Sequence, residues 1–320
     1  MTVSPQQPSL PEMLGYALVA PRIKVLYVPT TKVACSTLKL LMSQIEGCYN
    51  DDAKRIVISP NISQEQTIHS YLVHGLTRFF DLKPKKRWEI LNSDEWLRVG
   101  ALRDPLARAY SSWENRVLLR APGTPQEIFD RCPDVLVDGR VDVTASFKYF
   151  AKELHADLET FIQDDHFRPQ YNTLYSDQVE YHHLARVDVP GELQQLADVL
   201  NKRGGTNVSL ARLNSGIGIK PHQVYDAETA RLVTEVYARD FEWYGFEKKT
   251  YPESTTPLVL DQLQQSLLNN LRETTERLST VSTSAFSRVG FRYGLIQILK
   301  SIGFRLRFKG KNYDRKLLQW

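Results

Sequence analysis

Arg22-Ile-Lys-Val-Leu-Tyr-Val-Pro-Thr-Thr-Lys-Val-Ala-Cys-Ser-Thr-Leu-Lys-Leu-Leu-Met-Ser-Gln-Ile-Glu-Gly47 reads as strand, loop and helix. Val25 to Val28 is a continuous apolar run, the pattern of a strand buried on both faces, and Pro29 ends it. Leu38, Leu40, Leu41, Met42 and Ile45 then recur at helical spacing, with Gly47 as the stop. A second unit of the same kind follows. Trp96 to Leu102 is a strand candidate, Arg103-Asp-Pro105 turns the chain with Pro105 suited to a first helical position, and a helix runs to about Leu119. Two such units predict an α/β protein with a P-loop-like parallel sheet flanked by helices. Helices are also expected over Thr144–Asp164 and Glu228–Phe241, Val187 to Leu200 reads as a turn followed by a helix that ends at Gly204-Gly205, and Lys83-Pro-Lys-Lys-Arg87 reads as a solvated basic loop.

The flanks differ from this middle. Residues 1–21, rich in proline, read as an N-terminal arm, residues 22–250 as one domain, and residues 251–320 as a helical, basic C-terminal extension. Leu260, Leu263, Leu267, Leu271 and Leu278 fall on one helical stripe, which suits packing on the body or self-association. From Ala285 onward the chain carries nine Lys or Arg against Asp314 alone, a net +8, so the preceding residues carry −4 of the total of +4. The body therefore lacks the basic character of a nucleic-acid-binding domain. Between Phe286 and Phe308, Val289, Leu295, Ile296, Ile298, Leu299 and Ile302 alternate with Arg288, Arg292, Lys300, Arg305 and Arg307. Such a segment either packs on the domain or lies in a membrane interface. No stretch approaches the roughly 18 apolar residues of a membrane span, and MTVSPQQPSLPEM lacks the basic and apolar segments of a signal peptide. Three scattered cysteines, Cys35, Cys48 and Cys132, exclude a disulfide framework. The expected location is the cytoplasm, with the tail offering peripheral contact at the inner face of the membrane.

Two loops carry the chemistry. Thr30 to Thr37 links strand to helix, where unpaired backbone N–H groups and the positive end of the helix dipole favour phosphate. Lys32 adds a charge, Ser36 and Thr37 add hydroxyls, and small Ala34 and Cys35 beside Val33 allow close approach. The Walker glycines are absent, and the alternative is that Ser36 and Thr37 merely cap the helix. Arg103 stands at the end of the second strand, where open α/β sheets bind ligands, and Ser111 follows eight residues on. An Arg fork with a hydroxyl would clamp a separate phosphate, unless Arg103 simply pairs with an acid. His69 and His74 lie between these loops, His166 beyond them, and Glu65 is a further proton acceptor. His182-His183 reads as a strand pair, so no metal is expected.

Together the two loops resemble the paired nucleotide signatures of sulfotransferases that use 3′-phosphoadenosine 5′-phosphosulfate (PAPS). Lys32 to Lys39 is similar to the KVACTNWK form of the carbohydrate sulfotransferase family 2. Asp165-His-Phe-Arg-Pro-Gln170 resembles its D-x-H-W-x-P-Q element, His183 to Asp188 the strand after it, and Tyr237 to Phe246 its Y-x-x-D-F-x-x-F-G-Y close. Thr30 and Thr31 separate Pro29 from Lys32, where much of the family has Pro directly before Lys, and Trp113 and Phe167 replace Tyr and Trp. The resemblance implies that Lys32, Val33, Ala34, Cys35, Ser36 and Thr37 hold the 5′-phosphosulfate, Arg103 and Ser111 the 3′-phosphate, and that a carbohydrate or glycolipid is the acceptor. His69 matches the family's base position best, with His74 and His166 as alternatives. A nucleotide kinase on a related fold would instead need magnesium and ATP. A non-catalytic, membrane-associated scaffold with the same fold would not keep Lys32, Arg103 and Ser111 intact.

Overall fold

The computed structural model describes residues 14, 16–57, 59–60, 64–211, 213 and 216–289. The strands are β1 (Leu18–Ala20), β2 (Val25–Tyr27), β3 (Thr77–Arg78), β4 (Leu97–Leu102), β5 (Leu136–Val137), β6 (Arg140–Val141) and β7 (His183–Arg186). The central sheet has the order β3-β1-β2-β4-β7, and β5 and β6 form a separate hairpin. β2, β4 and β7 run parallel, with Tyr27 opposite Val99 and Val99 opposite His183. β1 is antiparallel to both of its neighbours. The sheet is thus mixed, parallel in the half that holds the two loops. β1 lies inside the segment that reads as an arm; three residues are too few to show a period of two.

Alternation along the strands explains the two faces. Val25, Tyr27, Val99 and Ala101 meet Leu38, Leu41 and Ile45 of the helix Cys35–Glu46, and Leu196 and Leu200 of the helix Glu192–Gly204. Leu26, Val28 and Leu102 point the other way, onto Phe79, Ile90, Tyr171 and Leu174. A third cluster joins the helices Pro105–Trp113, Val143–Ala156 and Ala227–Val236 through Trp113, Phe147, Phe150, Phe167 and Tyr225. Asp104 caps the first of these, accepting the Ala107 N–H at 2.8 Å, and Pro105 takes its first position.

Several elements depart from their sequence pattern for local reasons. The expected helix Thr144–Asp164 is broken at Asp157, whose carboxylate turns back to cap Leu158–Phe161. The basic stretch after Lys83 is not a loop: Pro84 starts a helix to Asn92, Ile90 anchors it in the core, and Lys86 lies over the Trp96 ring. The long helix Gln262–Val289 packs on the body, but of the leucine stripe only Leu260, just ahead of the helix, is fully buried. Leu263 and Leu267 are exposed, while Leu260 and Leu268 are buried. The facing side is largely polar. Gln265 accepts the Val141 N–H at 2.8 Å, and Arg272 grips Asp134 at 2.6 and 2.9 Å and the Leu118 carbonyl at 2.8 Å. No helix among the described residues is long and apolar enough to cross a membrane. The tail from residue 290 and the Glu65 side chain lie outside the described residues.

Candidate active site

The Thr30–Thr37 loop leaves the C-terminal end of β2 and enters the helix at Cys35. Lys32 and Ala34 have φ of 62° and 51°, left-handed values in a loop without glycine. Each costs about 1–2 kcal/mol, so neighbouring groups must hold the loop. Val33 is fully buried beneath it. Arg108, itself buried, donates from Nε to the Thr31 carbonyl (3.0 Å), from Nη2 to Thr31 Oγ1 (3.1 Å) and from Nη1 to the Arg168 carbonyl (2.8 Å). Thr31 Oγ1 donates onward to the Asp165 carbonyl at 3.0 Å. Ala34 is the residue before the helix and offers no side-chain acceptor, so neither Ser36 nor Thr37 acts as the cap. Thr37 Oγ1 donates to the Ala211 carbonyl at 3.0 Å, and Ser36 Oγ lies 3.0 Å from His69 Nε2.

Arg103 follows β4 and reaches this loop directly: Nη1 donates to the Lys32 carbonyl at 3.2 Å. Its backbone is clamped by Gln170, which accepts the Arg103 N–H (2.9 Å) and donates to its carbonyl (2.8 Å). Gln170 is held in turn by Asp240, whose carboxylate accepts the Gln170 and Tyr171 N–H groups at 2.9 and 2.8 Å. Arg103 does pair with an acid: Asp188 Oδ1 forms an ion pair with its Nε at 3.7 Å, a distance too long for a hydrogen bond. Arg103 Nε and Thr30 Oγ1 are buried without a hydrogen-bond partner among the described residues. Two buried polar atoms without a hydrogen bond beside a cationic loop fit an anionic ligand. Ser111 lies on the helix that begins at Pro105 and is partly exposed.

Electrostatics separates the candidate groups. Burial brings Lys32 down from 10.5 to about 8, with Arg103 and Arg116 adding to the fall and Cys35 and Glu114 opposing it. Burial pushes the Glu114 carboxyl up; it opens the π-helical turn Glu114–Leu118 and accepts the Ile217 N–H at 3.2 Å. His69 ends the 3-10 turn Gln64–His69 with both ring nitrogens engaged, Nε2 by Ser36 and Nδ1 by Lys39 Nζ at 3.0 Å. Burial, then the Lys39 charge, lowers it to about 3. His166 Nδ1 lies 2.6 Å from Asp164 Oδ1, and burial, only partly offset by that hydrogen bond, lowers it to about 4. His74 accepts the Leu76 N–H at 3.0 Å instead. The charge of Lys32 acts on both His69 and His166, which face the same loop.

Sequence reasoning missed Arg108, Gln170, Asp240 and Lys39 as supports of the site. Arg108 had a signal, a cation among Leu106, Ala109, Tyr110 and Trp113 on an otherwise apolar helix. Gln170 and Asp240 stand inside two of the quoted motifs, but their partners lie 67 and 70 residues away along the chain, so local pattern does not show what they hold. Among the described residues, no group of three or more His, Cys, Asp or Glu is placed to hold a metal ion.

No curated protein and no solved structure matches the chain at a significant level. The family comparison is positive, and its boundaries enclose every residue of this site: residues 16–247 match the model described as the sulfotransferase family. With the Lys32 loop and the Arg103 turn converging at the ends of β2 and β4, the chain belongs to the sulfotransferase family, as a family 2 member.

Proposed function

We propose that this sulfotransferase takes its sulfuryl group from PAPS, in a P-loop-like site, and passes it to a hydroxyl of a carbohydrate or glycolipid. Lys32, the backbone of Val33, Ala34 and Cys35, and the hydroxyls of Ser36 and Thr37 would hold the 5′-phosphosulfate. Arg103 and Ser111 would hold the 3′-phosphate. The observation that supports the reading is the reach of Arg103 into the Lys32 loop, with its Nε buried, ion-paired to Asp188 at 3.7 Å and hydrogen-bonded to no group among the described residues. One guanidinium then ties the loop assigned to the 5′-phosphosulfate to the position assigned to the 3′-phosphate.

In this reading the acceptor oxygen forms a bond to sulfur as the bond from sulfur to the phosphate oxygen breaks. Lys32 and the helix N-terminus stabilise the charge left on that oxygen. A base takes the acceptor's proton, and His69 and His166 both stand over the loop. The products are a sulfate ester and adenosine 3′,5′-bisphosphate. Calorimetric titration with adenosine 3′,5′-bisphosphate, without magnesium, tests this. Binding far tighter than that of ATP is expected, and a preference for ATP with magnesium would overturn it.

A further inference from the structure

The two histidines over the loop are locked in opposite tautomers by their neighbours. Asp164 carries a carboxylate, held at about 2, where the hydrogen bond from His166 and the charges of His166 and Arg116 outweigh an opposing burial effect. A carboxylate only accepts, so the 2.6 Å contact places a proton on His166 Nδ1 and leaves Nε2 with its lone pair. The backbone repeats the clamp. The His166 N–H donates to the same Asp164 oxygen at 3.0 Å, and Ser112 Oγ donates to the His166 carbonyl at 2.7 Å. Arg116 Nε holds the second Asp164 oxygen at 2.5 Å, with both side chains buried. His69 is the reverse. A Lys39 ammonium only donates, so Nδ1 must accept it, and the single proton of a neutral ring sits on Nε2, aimed at Ser36 Oγ.

We propose that His166, oriented by Asp164 and Arg116, is the general base that takes the acceptor's proton at Nε2, and that His69 serves the loop as a hydrogen-bond donor. The assignment rests on the sulfuryl-transfer reading above. His69 would have to shed its Nε2 proton before it could accept another there, which requires Lys39 to deprotonate first. His166 needs no such step. Asp164, buried with Arg116, is a positioning residue, as the carboxylate is in other histidine-based proton transfers. The groups acting on His166 are Asp164, Arg116 and Lys32. Those acting on His69 are Lys39, His166, His74 and Lys32.

The test uses the full-length protein labelled with ¹⁵N-histidine, with PAPS and water as the probe reaction. The ring nitrogens of His166 should show a protonated Nδ1 and an unprotonated Nε2 at neutral pH, and those of His69 the opposite. His166→Asn should slow PAPS hydrolysis by roughly 10²–10⁴ with adenosine 3′,5′-bisphosphate affinity nearly unchanged. His69→Asn should weaken that affinity more than it slows turnover. Asp164→Asn should shift the His166 proton between ring nitrogens and change the pH profile, which a purely structural role would not do. Should Asp164→Asn fail to fold, the wild-type ring spectrum and His166→Asn still decide. A protonated Nε2 on His166, or hydrolysis lost in His69→Asn and kept in His166→Asn, overturns the assignment alone. Wild-type protein that binds no adenosine 3′,5′-bisphosphate overturns the sulfuryl-transfer reading, and the base assignment falls with it.

Discussion

Replacing Arg103 with alanine separates a 3′-phosphate clamp from a merely structural arginine. Its backbone is fixed by the reciprocal pair with Gln170 at 2.9 and 2.8 Å, so truncating the side chain leaves the end of β4 in place. Within the protein, the guanidinium loses one hydrogen bond, to the Lys32 carbonyl, and a long, partly exposed ion pair to Asp188 at 3.7 Å, together worth about 1–2 kcal/mol net. The melting temperature should therefore fall by only a few degrees. Toward a phosphate the guanidinium has two further donors, the buried Nε and Nη2. Charge-assisted hydrogen bonds contribute about 1.5–3 kcal/mol each and are not additive, which gives about 2–4 kcal/mol for the pair. The side chain is 28% exposed, so solvent screening favours the lower half of that range. Affinity for adenosine 3′,5′-bisphosphate should then drop about 30- to 160-fold, while affinity for adenosine 5′-monophosphate changes little. Calorimetry on both nucleotides with both proteins measures this. Equal losses for the two ligands would refute the 3′-phosphate assignment, since only one of them carries that group.

The low value of Lys32 makes nucleotide binding depend on pH. Its charge is lost as pH passes about 8, so affinity for adenosine 3′,5′-bisphosphate should fall there, and Lys32→Arg should keep its affinity to higher pH. Between about 8 and 10.5 the unfolded chain binds a proton that the native loop lacks, so the ligand-free protein should gain stability with pH over that window, as chemical denaturation would show. Arg272→Ala removes three hydrogen bonds that tie the long C-terminal helix to Asp134 and Leu118. A loss of about 2–3 kcal/mol is expected, with earlier proteolytic cutting between residues 262 and 289. The cationic, apolar tail should bring the full chain down with anionic liposomes at low salt, and truncation after residue 284 should abolish this, each cation contributing about 1 kcal/mol near the surface. Full-length protein that stays in the supernatant would make the tail a structural element.

What could be read from the sequence follows the range of the interaction behind each feature. The strand, loop and helix at Val25–Glu46 are written in neighbouring residues: a short apolar run, then helical spacing, then Gly47, whose φ of 82° ends the helix. The second unit is equally local, because Asp104 caps its own helix and Pro105 opens it. Pattern failed where a tertiary contact overrode it. Leu263 and Leu267 obey helical spacing yet face solvent, because Arg272 and Gln265 found partners on the body that fixed a different face inward. The site shows the same division. Lys32, Arg103 and Ser111 stand in ordered motifs, but the meeting of Arg103 with the Lys32 loop depends on Arg108, Gln170 and Asp240 reaching across the chain. The base was the least legible part for a chemical reason. His69, His74 and His166 are the same residue type, and spacing from a motif cannot say which ring nitrogen holds a proton. That depends on whether the partner only donates, as Lys39 does, or only accepts, as Asp164 does. Asp164 is two residues from His166 and so was visible in the sequence. What marks it as the orienting group is its burial against Arg116, from 48 residues away, which keeps it a carboxylate and so keeps Nε2 of His166 open to a proton.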